Sequence, residues 1–152
     1  MDIVIKPIGF VSSGRTQPLD DGWAAVDSSI ELISDFDEES LSGLEEFSHI
    51  EVIYYFHLAD RSKIVAGAEH PRENSNWPKV GIFAQRKKSR PNLLGATISR
   101  LIKIEGRRIF LSSLDAIDGT PVIDIKPVMK EFLPREQVVQ PVWSKELMMH
   151  YW

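Results

Sequence analysis

The chain has 152 residues, a length that favours one domain with a sizeable core. Its 43% hydrophobic and 26% charged residues are typical of globular proteins, and its formal net charge of −4 argues against binding nucleic acid through overall charge. The absence of cysteine excludes disulfides, thiolate metal sites and a cysteine nucleophile.

Other patterns limit the protein's location and its cofactors. The histidines are scattered without the spacing of metal ligands, so we expect no metal site. No apolar run approaches the roughly 20 residues that cross a bilayer, and residues 1–7 lack a signal-peptide pattern. We therefore expect a cytoplasmic protein without membrane contact.

The first half of the chain predicts short strands separated by turn residues. Strands are expected at residues 3–11, 28–33 and 48–57, the last being rich in β-branched and aromatic residues. Residues 38–46 predict one or two helical turns, capped by Asp37 or Ser34. The polar residues 66–79 predict a long loop inside the domain.

The second half continues the pattern and ends in an aromatic tail. Strands are predicted at residues 80–84, 95–104, 108–114 and 121–124, with a hairpin turn at Glu105-Gly106. Residues 144–151 predict a helix with Ser144 as N-cap. Because exposed aromatic residues at a terminus favour docking, we expect the tail to pack on the body or on a second subunit.

Many short strands with Gly, Pro and Asp turns predict a mainly β fold. We expect a small antiparallel β-barrel, closed or partly open, with a few short helices and a C-terminal helical tail. Residues 1–152 form a single domain in this prediction, with a core at 3–130 and a tail at 131–152.

A basic segment, residues 81–95, reads GIFAQRKKSRPNLLG and carries four cations between apolar runs. Arg86 and Arg90 can each donate paired hydrogen bonds to phosphate or carboxylate. Asn92 offers an amide that can contact a base edge or cap a turn. Lys87 and Lys88 fit a solvated surface as well as they fit a binding role.

An acidic segment, residues 114–127, reads LDAIDGTPVIDIKP. Asp115 and Asp118 can bind ribose hydroxyls or an ammonium group or accept a proton, although Asp118 also fits a carboxylate that only satisfies its own turn. For Asp124 and Lys126 we favour a local ion pair. Together, the basic and acidic segments predict a site for an adenosine-bearing ligand beside a phosphate-rich partner.

The histidines of the central strand have two interpretations. His49 is more consistent with a structural, hydrogen-bonded histidine. His57 lies where an apolar strand meets a loop, so a structural role and a ligand contact are equally consistent with its position.

These segments resemble the TsaA/TrmO family. The resemblance rests on GIFAxR…RPN…G with LD…DGTPVxDIKP, supported by IGFVS at residues 8–12 and GLEEFSH at residues 43–49. It covers about residues 3–130. It implies a dimeric β-barrel that binds S-adenosylmethionine near the subunit interface and N6-methylates threonylcarbamoyladenosine at position 37 of tRNA.

The resemblance also implies roles for individual residues. Contacts to the methyl donor fall on Asp21, Gly22, Trp23, His57, Leu58, Arg86, Ala96, Asp115, Ala116, Ile117 and Asp118. Contacts to RNA fall on Lys87, Lys88, Arg90 and Asn92, and Arg86 and Asn92 also face the target base. Because N6 must lose a proton around the time of attack, Asp118 is the candidate base.

The chain departs from the family pattern in the basic segment. Lys87-Lys88 replaces the common Ser-Pro, and Leu93-Leu94 replaces Pro-Ile. The extra C-terminal domain of longer members is also missing from this sequence. We expect donor binding to survive these differences. Methylation of another RNA or a small molecule, or donor binding without catalysis, stay open as alternatives.

Overall fold

The computed structural model describes residues 1–152 and contains eight strands. These are β1 (Gly9–Ser13), β2 (Asp27–Leu32), β3 (His49–Tyr55), β4 (Ala68–Glu69), β5 (Val80–Gly81), β6 (Leu94–Glu105), β7 (Arg108–Ser112) and β8 (Pro121–Pro127). Six of them close an antiparallel barrel in the order β1-β2-β7-β6-β3-β8, whereas β4 pairs only with β5. The predicted mainly β, barrel-forming fold is confirmed.

The helices are short. Helix α1 spans Val142–Leu147, and single 3-10 turns occur at Glu38–Leu41, Leu44–Glu46, Arg61–Lys63, Pro71–Glu73, Ile82–Ala84 and Lys130–Phe132. Asp37 caps the first of these turns by accepting a hydrogen bond from the Glu39 N–H at 3.1 Å, as the sequence predicts. No helix reaches the length and apolar character needed to span a membrane.

Alternating side chains on the strands build the barrel core. On β3, Ile50, Val52 and Tyr54 point inward and are at most 2% exposed. They pack with apolar residues from other strands, from the 3-10 turn Glu38–Leu41 and from the segment after β7, namely Val11, Ile30, Leu32, Leu41, Ile109, Leu111, Leu114, Ala116 and Val122. Removal of this apolar surface from water is the main stabilising contribution to the barrel.

Strand β6 pairs with β3 along its first half and with β7 along its second half. Its alternation is inverted, because Thr97 and Ser99 are buried while Ile98 and Ile102 are 45% and 54% exposed. Gly95 is opposite Tyr54 in the β3–β6 register. A Cβ at position 95 would meet the Tyr54 ring at 2.5 Å, so the tyrosine lies across β6 only because residue 95 is glycine.

The structure corrects two of the predicted strands. The first strand begins at Gly9, not residue 3, and Ile3 and Val4 are exposed. Pro7, which has no N–H to donate to a ladder, lies just before the paired region. After Val80–Gly81 the chain turns into a 3-10 segment instead of continuing as a strand to residue 84.

The C-terminal helix also differs from its prediction. It begins at Val142 after Pro141, which fits a helix start because proline has a suitable fixed φ. Ser144 lies inside the helix, where its hydroxyl donates to the Pro141 carbonyl at 2.8 Å instead of capping the N-terminus.

The tail that follows this helix packs on the body of its own chain, which was one of the two predicted outcomes. The N–H groups of Gly22 and Trp23 donate to the carbonyls of His150 and Tyr151 at 3.0 and 2.8 Å. The Trp77 indole N–H also donates to the Glu146 carboxylate at 2.7 Å. These bonds hold the end of the tail beside the segment that contains Gly22 and Trp23.

Candidate functional site

A carboxylate bound by hydroxyl groups lies at one end of the barrel. Asp115 Oδ1 accepts hydrogen bonds from the Tyr54 hydroxyl at 2.9 Å and from Thr97, and Asp115 Oδ2 accepts one from Tyr151. β3 supplies Tyr54, β6 supplies Thr97 and the tail supplies Tyr151. These bonds fix the orientation of the Asp115 carboxylate and leave an acceptor position on Oδ2 for a further donor.

Both tyrosines in this cluster remain hydrogen-bond donors at neutral pH. Burial raises the pKa of Tyr54 and of Tyr151 well above the usual value of 10.0, and the negative charge of Asp115 raises the pKa of each further. The phenol groups therefore stay protonated and continue to donate to the carboxylate.

The Asp118-Gly119 turn lies against β1 and the end of β3. Asp118 Oδ1 accepts the Ser13 N–H at 3.0 Å, and the Asp118 N–H donates to the Arg15 carbonyl at 2.8 Å. Gly119 has a φ of +77°, and a Cβ at that position would lie 3.8 Å from His57 Nε2. Asp118 thus satisfies its turn, while its exposed Oδ2 accepts no hydrogen bond within the chain.

Arg15 holds the segment Asp21 to Trp23 in place. Its two terminal nitrogens donate to the Asp21 and Gly22 carbonyls at 2.9 and 2.8 Å, and its guanidinium lies 4.1 Å from the centre of the Trp23 ring. The Asp21 carboxylate pairs with Arg72 at 2.8 and 3.2 Å. The Arg72 guanidinium lowers the pKa of Asp21 below its usual value of 3.8.

A groove adjoins this segment. It has a volume of about 440 Å³ and is lined by Gly14, Arg15, Thr16, Gln17, Leu19, Val26 and Asp27. Because Arg15 bonds to Asp21, Gly22 and Asp118, the groove is next to two of the predicted donor-contact segments, residues 21–23 and 115–118. Its size falls within the range of small-molecule sites.

The basic segment contacts the barrel through Arg86, and two of its other cations bond within the segment or to β4. Arg86 Nη2 donates to the Ala96 carbonyl at 2.5 Å, and Arg90 Nη1 donates to the Gln85 carbonyl at 2.9 Å. Lys87 forms an ion pair with Glu69. Lys88 is exposed and forms no ion pair.

The structure brings the predicted donor-contact residues to one end of the barrel. Hydrogen bonds connect the segment at 21–23 with Asp118 through Arg15 and with Asp115 through Tyr151. Buried Ala116 and Ile117 lie between the two aspartates, and Leu58 is 60% exposed beside His57.

The RNA-binding predictions fall on unequal positions. Lys88 and Asn92 are exposed, whereas Lys87 is engaged with Glu69 and Arg90 is half-buried.

Lys126 pairs with Asp124 at 2.7 Å, which confirms the predicted local ion pair. His49 is exposed, with Nδ1 2.7 Å from the Ser48 hydroxyl.

Sequence reasoning missed several residues of this region. Tyr54 and Thr97 carried only the signal of strand residues, and Arg15 and Arg72 lay in turn-rich segments without a motif. Tyr151 had one usable signal, its place in an aromatic terminus that was expected to dock. What the sequence did not reveal was the docking position.

Comparison with known proteins gives a consistent family match. The family model for the tRNA-methyltransferase O N-terminal domain matches residues 14–132. The human "tRNA (adenine(37)-N6)-methyltransferase" is 42% identical over 105 residues, which are 69% of this chain and 23% of the human protein. A "Probable S-adenosyl-L-methionine-binding protein" of Pyrococcus abyssi is 36% identical over 141 residues, covering 90% of this chain and 73% of that protein.

Solved structures agree with the sequence relatives. A crystal structure of TrmO from Pseudomonas aeruginosa superposes with a TM-score of 0.76 at 30% identity, covering 94% of this chain and 62% of that chain. This chain spans 23% of the length of the human relative and 22% of the mouse relative.

Proposed function

Because this chain belongs to the family of tRNA-methyltransferase O N-terminal domains, we propose that it is an S-adenosylmethionine-dependent methyltransferase that N6-methylates threonylcarbamoyladenosine at position 37 of tRNA. The observation that carries this proposal is the meeting of separate segments, residues 21–23, 57–58, 86, 96 and 115–118, at one end of the barrel. Hydrogen bonds through Arg15, Arg86 and Tyr151 link most of them.

The donor set of this site fits S-adenosylmethionine. Asp115 Oδ2 keeps an acceptor position that suits a ribose hydroxyl or the ammonium of the methionine part. Arg86 uses only Nη2 within the chain, so its other nitrogens are available to a carboxylate. Leu58, which is 60% exposed, offers apolar surface that suits the adenine ring. When bound, the donor supplies an electrophilic methyl group on its sulfonium sulfur.

The protein's own contribution is to position the acceptor and receive a proton. A displacement at carbon needs the attacking nitrogen held in line, so orientation supplies much of the acceleration. In this proposal Asp118 Oδ2 accepts the proton that the adenosine N6 loses as the new N–CH₃ bond forms. Ser13 keeps the other oxygen of Asp118 in a fixed position during this step.

An exposed cation and an exposed amide beside the site suit an RNA acceptor. Lys88 is free to approach phosphate, and exposed Asn92 can contact a base edge. Unstacked bases in loops are the part of RNA that proteins read most readily, and position 37 lies in such a loop. The local positive charge is therefore compatible with tRNA despite the formal net charge of −4.

We also propose a homodimer with the ligand site near the subunit interface. Ile98 and Ile102 face outward, 45% and 54% exposed, on the strand that carries Ala96 and Thr97. A second copy would remove this apolar surface from water. Light scattering should detect the dimer, and Ile98→Glu should give a monomer with weaker donor affinity. Unchanged affinity in a proven monomer would remove the interface role.

Because the proposed substrate is tRNA, the proposed location of the protein is the cytoplasm.

The test of the reaction is transfer of labelled methyl from S-adenosylmethionine to bulk tRNA from cells that lack the N6-methyl mark in the anticodon loop. Incorporation into N6-methylated threonylcarbamoyladenosine, located by nucleoside mapping, is the expected result. Heat-denatured protein serves as the control.

Two other outcomes would redirect the proposal. Donor binding by calorimetry without transfer to any RNA, and without an effect of salt, would favour a non-catalytic binding module. Transfer to a different RNA or to a small molecule would keep the enzyme and replace the acceptor. Binding to tRNA that weakens steeply as salt rises would support phosphate contacts.

A further inference from the structure

The residue that completes the hydrogen bonding of Asp115 comes from the C-terminal tail. Tyr151 lies outside residues 14–132, the part of the chain that matches the family model, and 36 residues beyond Asp115. Its hydroxyl donates to Asp115 Oδ2, the oxygen that Tyr54 and Thr97 leave free. The tail thus adds a group to a site that the rest of the barrel leaves incomplete.

The position of Tyr151 is set by several independent contacts. Its carbonyl accepts the Trp23 N–H at 2.8 Å, and the preceding carbonyl, of His150, accepts the Gly22 N–H at 3.0 Å. Its ring packs edge-to-face on Trp152 with centroids 5.0 Å apart. Farther back, Glu146 is anchored by the Trp77 indole N–H. Because the backbone and the ring of Tyr151 are both held by these contacts, the side chain has little conformational freedom left to lose when a ligand binds.

The charges around Tyr151 suit a residue that organises a site. The negative charge of Asp115 raises the pKa of the Tyr151 phenol, and the positive charges of Arg86 and Arg72 act in the opposite direction on that pKa. Arg72 is fixed by Asp21, and Arg86 is fixed by the Ala96 carbonyl. Tyr151 therefore lies where the tail, the Asp21 segment and the basic segment meet.

We propose that Tyr151 is a positioning residue for the methyl donor: its hydroxyl, carried in by the C-terminal tail, fixes Asp115 Oδ2 so that the remaining lone pair meets a hydroxyl or ammonium of the donor. This inference rests on the proposed function. It adds that the tail belongs to the binding site and that its removal costs donor affinity.

The test compares full-length Tyr151→Phe with wild type by calorimetry with S-adenosylmethionine. The substitution keeps the ring and removes only the hydroxyl, and we expect about tenfold weaker binding, in keeping with loss of a hydrogen bond to a charged group. In transfer assays the KM for the donor should rise while the KM for tRNA stays unchanged. Met149→Ala, an exposed position in the same tail, is the matched control and should bind like wild type.

A double-mutant cycle separates positioning from general stability. If Tyr151 acts through Asp115, the Tyr151→Phe/Asp115→Asn double variant should bind no more weakly than Asp115→Asn alone. Losses that multiply would overturn the inference. 5′-Methylthioadenosine keeps the ribose of the methyl donor and lacks its ammonium. Its binding therefore shows which of these two groups donates a hydrogen bond to Asp115. A persistent Tyr151→Phe effect indicates the ribose hydroxyl, and a lost effect indicates the ammonium.

The remaining outcomes are decisive in different ways. Equal affinity of wild type and Tyr151→Phe would refute the positioning role and leave the proposed function intact. Tighter binding by Tyr151→Phe would also refute it, because the hydroxyl would then be a competitor of the donor. A wild-type protein that binds no donor would overturn the proposed function together with this inference.

Discussion

The ring of Tyr54 lies against Gly95 so closely that a Cβ on residue 95 would stand 2.5 Å from two ring carbons. The two residues are direct partners in the β3–β6 register. The same tyrosine donates to Asp115 at 2.9 Å, so the missing side chain at position 95 is what allows Tyr54 to reach the carboxylate.

The first prediction concerns this contact. Gly95→Ala should destabilise the protein by about 1–3 kcal/mol, because an added methyl group in a filled space forces the Tyr54 ring away from its position. Donor affinity should fall as well, since Tyr54 would lose its bond to Asp115. Urea unfolding and calorimetry measure the two effects.

Gly81→Ala is the matched control. Gly81 has a φ of −62°, which other residues adopt freely, and a Cβ there would meet nothing within 4 Å. Its stability should stay within about 0.5 kcal/mol of wild type. A Gly95→Ala protein as stable as this control would contradict the prediction, because it would show that the Tyr54 ring can move aside for an added methyl group at little cost in stability.

The second prediction concerns the proposed base. Asp118→Asn should lower kcat by about 10²-fold or more while leaving the fold intact, because an amide oxygen still accepts the Ser13 N–H but cannot take up a proton. Single-turnover transfer assays measure the rate. A near-normal kcat in a well-folded variant would leave Asp118 with only the turn that it stabilises.

The third prediction separates two cations of the basic segment. Arg86→Ala should weaken donor binding, because Arg86 reaches the Ala96 carbonyl at the proposed site. Lys88→Ala should weaken tRNA binding only and reduce the slope of log affinity against log salt by roughly 0.7 to 0.9, as expected for one lost phosphate contact. Equal effects of both variants on both ligands would contradict this division.

The fourth prediction concerns pH. Arg72 lowers the pKa of folded Asp21 below its usual 3.8, so their ion pair stabilises the protein at neutral pH and ceases to do so as pH falls through the folded pKa. Asp21→Asn should be less stable than wild type at pH 7, by less than about 1 kcal/mol because the Asp21 side chain is 38% exposed.

Urea unfolding at about pH 7 and at a series of lower pH values measures the difference, which should shrink as pH falls through the folded pKa of Asp21. Asp20→Asn is the control, because its carboxylate is 4.0 Å from Arg72 and 67% exposed. A stability difference for Asp21→Asn that persists in acid would mean that the carboxylate acts through something other than its charge.

The barrel was predictable because its strands carry strong local signals. Residues 48–57 are rich in β-branched and aromatic types, and Gly106 marks the tight turn between β6 and β7 with a φ of +60°. The first strand was placed too early because Ile3, Val4 and Ile5 have strand propensity but no partner strand. Propensity does not reveal whether a neighbour is present.

The candidate site was predictable only where its residues form a motif. The Asp115 to Asp118 stretch and Arg86 could be named from their pattern, which resembles a known family. Tyr54, Thr97 and Tyr151 could not, because their contact with Asp115 depends on barrel closure and on tail docking. Such long-range proximity leaves no trace in the spacing of residues along the chain.

The inverted alternation of β6 has a consequence for folding. A slip of the first half of this strand by one residue would turn Ile98 inward and Thr97 and Ser99 outward. It would also turn Arg100 inward, so the gain from burying an isoleucine is set against the cost of burying a charge. The bond from Thr97 to Asp115 and the fit of Gly95 under Tyr54 oppose such a slip. The proposed ligand-binding carboxylate therefore also selects the correct pairing of the barrel, and an Asp115 variant needs its strand register checked before lost activity is assigned to chemistry.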